Sequence, residues 1–575
     1  MRHHLLLAAT AFAFAAPAFA GPVQDFQKLQ DEYWATLLKN SPTTATSVGV
    51  TKYDRELGEI TLAAADRQVV EAGVFLKRLK AIPAGSLSAA GQANYAILKD
   101  NLESSIEAHG FGQRQLYYSI LGSYHGLVAG MGEQQPFRTY ADYDNYLARI
   151  SFVPLRMRDY GDISVKAAKE GFVQPCATMT GFPATITGVI TADPAKSRFY
   201  TPFAAPRPAS VNTVQWADLQ ARAKALISDK INPSYQAFAA TYDRDLKDKC
   251  SQSVSVSSQP GGAAYYAFQV RQQTTTKLTP DQIHQIGLGE VARIRAEMTE
   301  VATKAGYPTR EAMIAEMRTN PKYFAKTPNE LMAAAALQAK TIDGKMPTLF
   351  TKLPRLPYGV KAIPDSIAAD TTTAYYQGGS LDGPNTQARP GYHYVNLYKP
   401  ETRPTWEMMA LSLHEAVPGH HFQFARALEL PDMPMFRKTA YFVAYGEGWA
   451  LYAEQLGYDM GLYDDPFERF GQLTYEMWRA VRLVVDTGMH AFGWSREQAI
   501  SYFKAHTAKT DQDIVNEVDR YIAWPAQALA YKIGQLRISA LRAEAERALG
   551  DKFDLRDFND AVLDTRLTNL FPAPD

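Results

Sequence analysis

The sequence predicts a mainly α-helical protein of two lobes, with a small antiparallel β-sheet beside one chemically dense helix. Three observations lead to this reading. At 575 residues the chain is too long for one ordinary domain and long enough to bury a large core. Apolar residues recur at helical spacing over residues 23–38, 64–79, 87–108 and 216–242, so the chain to about residue 250 reads as helix after helix. Over residues 358–398 the pattern changes to short Tyr/Val/Ile-rich runs broken by Gly, Pro, Asn and Asp, as in strands and turns.

Taken in order, residues 1–20 have the layout of a secretory signal. Arg2, His3 and His4 precede an apolar run, and Ala18-Phe19-Ala20 offers a small-x-small cleavage site before Gly21. This implies export, to a bacterial periplasm or beyond. No later stretch has the ~18 apolar residues that a membrane span requires. Acidic and basic side chains number 60 each, which argues against nucleic acid or anionic membrane as partners. Cys176 and Cys250 are the only cysteines; in an oxidising compartment an even pair implies one disulfide, the alternative being two buried thiols.

The Pro-rich piece at 203–208 reads as a loop, and the Ser/Gly-rich run at 251–264 as a boundary. The expected lobes are therefore 21–264, helical and without a chemical constellation, and 265–575. Helices resume at 279–340, followed by strand-like runs at 358–363, 373–376 and 391–398. The edge of that sheet either binds an extended peptide or only packs against the next helix. His393 is read as structural.

That helix carries the chemistry. It is expected to start at Thr405 as N-cap, with Glu407 in its first turn, and to run into His414, Glu415, Pro418, Gly419, His420 and His421. In the common zinc motif the second His follows the first by four residues, on one helical face, and the Glu acts as general base. Here His420 is six positions on, about 240° round and about 9 Å along an ideal helix; His421, seven on, shares the face but lies about 10 Å away. Pro418 lacks an N–H and clashes with the His414 carbonyl, and Gly419 tolerates the distortion. A bulge there would bring His420 to the second ligand position, with His421 as the alternative. Glu447, between Gly446 and Gly448, is the expected third ligand, and Glu454, seven residues on, can orient a ligand. One zinc ion per chain is implied, with Glu415 as base.

His-Glu-x-x-Pro-Gly-His followed by Gly-Glu-Gly-Trp-Ala resembles a widespread bacterial group of predicted zinc peptidases, long catalogued only as a domain of unknown function. The resemblance implies a mostly helical zincin that encloses substrate between two lobes, with His414, His420 and Glu447 as ligands and Glu415 as base. By analogy with such peptidases, Tyr531 is the expected oxyanion donor, and Arg520 a bidentate grip for a carboxylate.

Arg482, Asp486 and His490 are spaced by four, so they form one helical stripe, either orienting His490 at the site or making a structural ion network. Arg479, Arg482, Arg520 or Lys532 can hold a substrate's terminal carboxylate; in the rival arrangement Glu454 holds its amino group. The expected activity is hydrolysis of peptide bonds. Its rivals are cleavage of an ester or non-peptide amide at the same site, and a periplasmic binding protein with a structural zinc, which would have no use for Glu415. Oligomeric state stays open.

Overall fold

The computed structural model of the chain describes residues 21–368, 371, 373–380, 388–430 and 433–565. The signal-like segment 1–20 lies outside the described residues. The chain is mainly helical, as the periodicity implied. Helices α1 (Pro22–Asn40), α2 (Leu62–Lys80) and α3 (Ala89–His109) open it. The Thr61 and Ser88 side chains cap α2 and α3 by accepting the Ala64 and Gly91 N–H groups, at 3.1 Å each. The expected run 216–242 is interrupted. It forms α4 (Thr213–Leu226), a π-helical turn over Ile227–Ile231, and α5 (Asn232–Thr241). Pro233 has no N–H to return to the preceding turn, so the helical ladder cannot pass through unchanged.

Two apolar clusters occupy this N-terminal stretch. One is aromatic-rich, with Tyr146, Tyr160, Phe182, Phe199 and Tyr235 at its centre. Cys176 and Cys250 are joined by a disulfide at its border. The other gathers Phe26 and Leu29 of α1, Phe75 and Leu79 of α2 and Leu98 and Leu102 of α3 around Phe436, far along the sequence. Tyr33 meets Phe436 edge-on, ring centroids 5.9 Å apart.

Helices α6 (Gly262–Thr274), α7 (Pro280–Lys304), α8 (Arg310–Thr319) and α9 (Pro328–Asp343) lead to the sheet. Its strands are β1 (Tyr358–Ala362), β2 (Ala374–Gln377) and β3 (Gly391–Val395), close to the expected runs. Their arrangement differs from the expectation. β3 lies in the middle, antiparallel to β2 but parallel to β1, so the sheet is mixed. Turn residues mark where each strand ends; they do not say that consecutive strands pair, and here only β2 and β3 do.

The His/Glu motifs singled out in the sequence and the Arg482–His490 stripe sit on α10 (Met408–Glu415), α11 (His420–Glu429), α12 (Val443–Asp459) and α13 (Pro466–Ala491). After α14 (Asp511–Ala523), α15 (Ala530–Leu549) packs along α12. The contact between them is backbone on backbone. A Cβ on Gly534 would lie 1.9 Å from the Ala444 carbonyl oxygen, and one on Gly448 would lie 2.6 Å from Gly534 Cα. Neither clash can be relieved by a rotamer. Among the described residues, no helix is long and apolar enough to cross a membrane.

Gly534→Ala is expected to push α15 off α12 and to cost about 1–3 kcal/mol or more, the scale of overpacking in a dense core. Chemical denaturation measures it. An unshifted midpoint would mean that the two helices separate without penalty.

Candidate metal centre

The start of α10 departs from the sequence reading. Thr405–Glu407 forms a 3-10 turn, and the Thr405 hydroxyl donates to the Tyr323 carbonyl at 3.0 Å instead of capping. Glu407 is buried against Lys509, Nζ to Oε2 2.9 Å, so its charge is met by a cation and not by the helix N-terminus.

The distortion at Pro418 is also larger than a bulge. α10 ends at Glu415, Ala416 leaves the helical region at φ −100° and ψ −108°, and α11 starts afresh at His420. The Val417–Pro418 peptide is cis. Gly419 lies so close to the end of α10 that a Cβ would stand 1.9 Å from the His414 carbonyl oxygen. The Trp449 indole N–H donates to the Pro418 carbonyl at 2.7 Å, fastening this break to α12.

The break points the two successive histidines in different directions. His421 is buried, with Nε2 3.0 Å from the Leu356 carbonyl and Nδ1 3.1 Å from the Tyr376 hydroxyl, so it ties α11 to the sheet. Burial holds its pKa down, at about 4. His420 turns toward His414, with ring centroids 4.8 Å apart and planes at 87°.

Glu447 of α12 completes the group. Its Oε2 lies 3.6 Å from His414 Nε2 and 3.5 Å from His420 Nε2. All three ligand atoms fall within 4.8 Å of one another. Donors about 2.0–2.1 Å from one tetrahedral ion stand roughly 3.3 Å apart, so the spacing fits a zinc site. The chemistry of the set fits too. Glu454 Oε1 accepts from His414 Nδ1 at 2.8 Å, which orients the ring and turns Nε2 toward Glu447. In the protein alone, burial opposes charge on His414, but the bonds to Glu447 and Glu454 outweigh it and raise its pKa to about 9. Glu447 is displaced the other way. Burial raises its pKa, yet the two imidazoles win and hold it well below the carboxylate range. A cation is therefore favoured at the position between these donors.

Glu415, next to His414, is different. It accepts no hydrogen bond from any described residue, and burial raises its pKa against the pull of His414 and His420. Its proton affinity is increased and its oxygens are uncommitted.

The other expected site residues are divided by the structure. Tyr531, at the start of α15, lies within electrostatic range of Glu447, and its ring covers the Arg482 guanidinium, 4.3 Å from Cζ to centroid. Arg520 interacts electrostatically with Tyr531 and is paired with Glu517, Oε2 to Nη2 3.0 Å. His490 is not available as an oxyanion donor. Its Nδ1 accepts the Val256 N–H at 3.2 Å and its Nε2 donates to the Tyr521 carbonyl at 3.0 Å. The expected stripe does not join up either, since Asp486 bonds the Tyr266 hydroxyl and the Ala526 N–H while Arg482 bonds Glu517 and Tyr521.

Tyr441 is the residue that sequence reasoning missed. It precedes α12, stacks on Phe424 at an interplanar angle of 11°, and places its hydroxyl 3.5 Å from Glu447 Oε1. A Cβ on Gly446 would stand 2.2 Å from that hydroxyl, so the first glycine beside Glu447 makes room for it. That small residue was the only signal in the sequence.

Residues 42–565 match a family described as "Bacterial protein of unknown function (DUF885)". The chain belongs to this family. No curated relative matches. Among solved structures, the protein resembles one from Colwellia psychrerythraea described as a "putative lipoprotein", with 28% identity and a TM-score of 0.87 over 96% of this chain and 98% of that one. A second, from Shewanella oneidensis and described as a "putative lipoprotein of unknown function", shares the fold at 18% identity and a TM-score of 0.74, over 95% of this chain and 98% of that one.

In this family member, His420→Ala is expected to abolish stoichiometric zinc binding, while His421→Ala keeps the metal and loses fold stability. Glu454→Gln should weaken zinc roughly 10–100-fold, the usual effect of losing a ligand's hydrogen-bond partner. Elemental analysis and competition with a chelator measure both; the reverse order for the histidines would remove His420 from the site.

Proposed function

We propose that the protein is an exported zinc-dependent peptidase of zincin-like, two-lobed plan, with substrate held between the lobes 21–264 and 265–575. The observation that carries this reading is Glu415, an uncommitted carboxylate of raised proton affinity beside a three-donor cluster. A structural zinc site is closed by four protein ligands and has no use for such a base; a catalytic one keeps a position open. Among the described residues no fourth donor joins the His414–His420–Glu447 set.

When bound, the metal supplies Lewis acidity toward a carbonyl and lowers the pKa of water to near ~7. The chain's own groups do the rest. Glu415 takes a proton from the attacking water on its carboxylate and returns it to the leaving amine. Tyr531 and Tyr441 are phenols on the rim of the cluster, and burial raises both pKa values, that of Tyr441 well above the usual range. They stay protonated and can donate to the carbonyl oxygen as its charge develops. Export follows from the signal-like segment 1–20, which lies outside the described residues.

Glu415→Gln is expected to bind zinc and melt like the parent while losing on the order of 10²–10⁴-fold in peptide turnover. Near-parental activity in the zinc-loaded variant would move the base elsewhere. Tyr441→Phe and Tyr531→Phe should each lower kcat by roughly 10–10³-fold with little change in KM, since the donated bond forms only as the oxyanion does. A change confined to KM would make them substrate contacts only.

A further inference from the structure

Helix α11 is packed against its composition. From His420 to Ala427 every residue is buried but Phe424, which is 37% exposed. The polar Gln423 and the charged Arg426 lie inside the protein instead. Burying a guanidinium while leaving a phenyl ring in water is unfavourable on both counts, so folding stability alone does not select this arrangement.

Phe424 is not an isolated surface ring. It meets Tyr376 of β2 with centroids 5.8 Å apart, and it stacks on Tyr441 at 5.9 Å, a residue itself 48% exposed. Both separations are those of favourable aromatic pairs. The two tyrosines are seated over glycines and held by their hydroxyls. A Cβ on Gly391 would stand 2.6 Å from the Tyr376 hydroxyl, and Gly446 leaves the space that the Tyr441 hydroxyl fills. The Tyr376 hydroxyl donates to His421 Nδ1 at 3.1 Å, and that of Tyr441 lies against Glu447. With the hydroxyls engaged, the row offers a ligand mainly ring carbon. It is continuous with the candidate metal cluster. The Phe424 ring is 6.5 Å from that of His420, one turn back on α11, while Tyr441 reaches Glu447. Exposed apolar rings gathered beside a polar cluster mark a ligand groove more often than spare surface.

We propose that Tyr376, Phe424 and Tyr441 form an aromatic shelf that takes a large apolar or aromatic side chain of the substrate, next to the bond that lies at the His414–His420–Glu447 cluster. This rests on the peptidase reading and names its substrate class: peptides with such a residue beside the cleaved bond. The distance suits that occupant. An extended chain advances ~3.3–3.6 Å per residue, so the Phe424 ring is within about two residues of a bond held at His420. The chemistry suits it too, because ring carbon rewards the burial of another apolar surface and gives nothing to a charged side chain. Phe424 is then the residue that sets specificity, since it lies between the two tyrosines in the chain of ring contacts and turns outward from an otherwise buried helix.

Binding tests the shelf separately from turnover. The full chain carrying Glu415→Gln, loaded with zinc, is titrated with the peptides Ala-Ala-X-Ala-Ala, X being Phe, Leu, Ala or Glu. The Phe peptide is expected to bind roughly 10–100-fold tighter than the Ala peptide, with Leu between them and Glu no tighter than Ala. The preference should persist at high salt, since no charge carries it. Adding Phe424→Ala should bring the Phe and Ala peptides within about threefold while zinc stays stoichiometric, and Phe424→Leu should keep part of the preference. Equal affinity for the Phe and Ala peptides, no binding of any, or a preference that survives Phe424→Ala would each overturn the proposal. Should Phe424→Ala fold poorly or lose zinc, Phe424→Leu decides, an undiminished Phe preference counting against the shelf. A parent dimer that Phe424→Ala splits would give the shelf to a second copy of the chain and overturn the proposal as well. Failure of the peptidase reading shows elsewhere, as an absence of chelator-sensitive peptide cleavage by the parent protein; cleavage indifferent to X sinks the shelf alone.

Discussion

The site depends on one contact made without side chains, the crossing of α12 and α15 at Gly448 and Gly534. Helix α12 bears Glu447, Trp449 and Glu454, so a single rigid element supplies the carboxylate of the cluster, the clamp on Pro418 and the partner of His414. Helix α15 brings Tyr531 within electrostatic range of Glu447. Because backbones meet directly, there is no room for a side chain at either glycine, and the close approach of the two helices sets the relative positions of these groups. A constellation of side chains is held more precisely on helices than on loops.

Around that crossing the core is unusually polar. Lys532 lies between Glu290 of α7 and Glu476 of α13, and Arg293 bonds the same Glu476. Taking such charges out of water costs several kcal/mol per ion, so the network adds little net stability. It does constrain geometry. A misplaced helix would leave one of these ions without its counter-charge, a penalty larger than that of a misplaced leucine. The protein thereby trades stability for a defined arrangement of α7, α13 and α15.

Much of this was legible in the sequence, for identifiable reasons. Helical periodicity located α1 to α3 and the run α7 to α9, since each has one face in a core. The three strands were found because β-branched and aromatic runs ended in turn residues, but their pairing was not, since β1 pairs directly with β3 and skips β2, the strand that follows it in the sequence. The spacing of His414 and His420 signalled a break through Pro418. It could not reveal a full restart of the helix, nor that Trp449 of α12 holds the Pro418 carbonyl at the break. His490 looked functional because helical spacing puts it in line with Arg482 and Asp486. Its real partners are the backbones at Val256 and Tyr521, which no local pattern announces. Tyr441 was hidden for the converse reason, since it lies outside a helix and its relation to Glu447 arises from folding alone.

The cluster built around Phe436 has a consequence for how the chain divides. The short segment that leads to Tyr441 is anchored by Phe436, whose partners come from α1, α2 and α3, and by Arg437, whose Nη1 donates to Asn94 at 2.7 Å. Phe442, beside Tyr441, packs against the same cluster. The opening helices are thus a scaffold for one side of the candidate metal site, although they carry none of its three donors. A shortened chain beginning after α3 would retain His414, His420 and Glu447 and still lose the support of the phenol beside Glu447. The smallest unit with an intact site therefore includes the N-terminal helices.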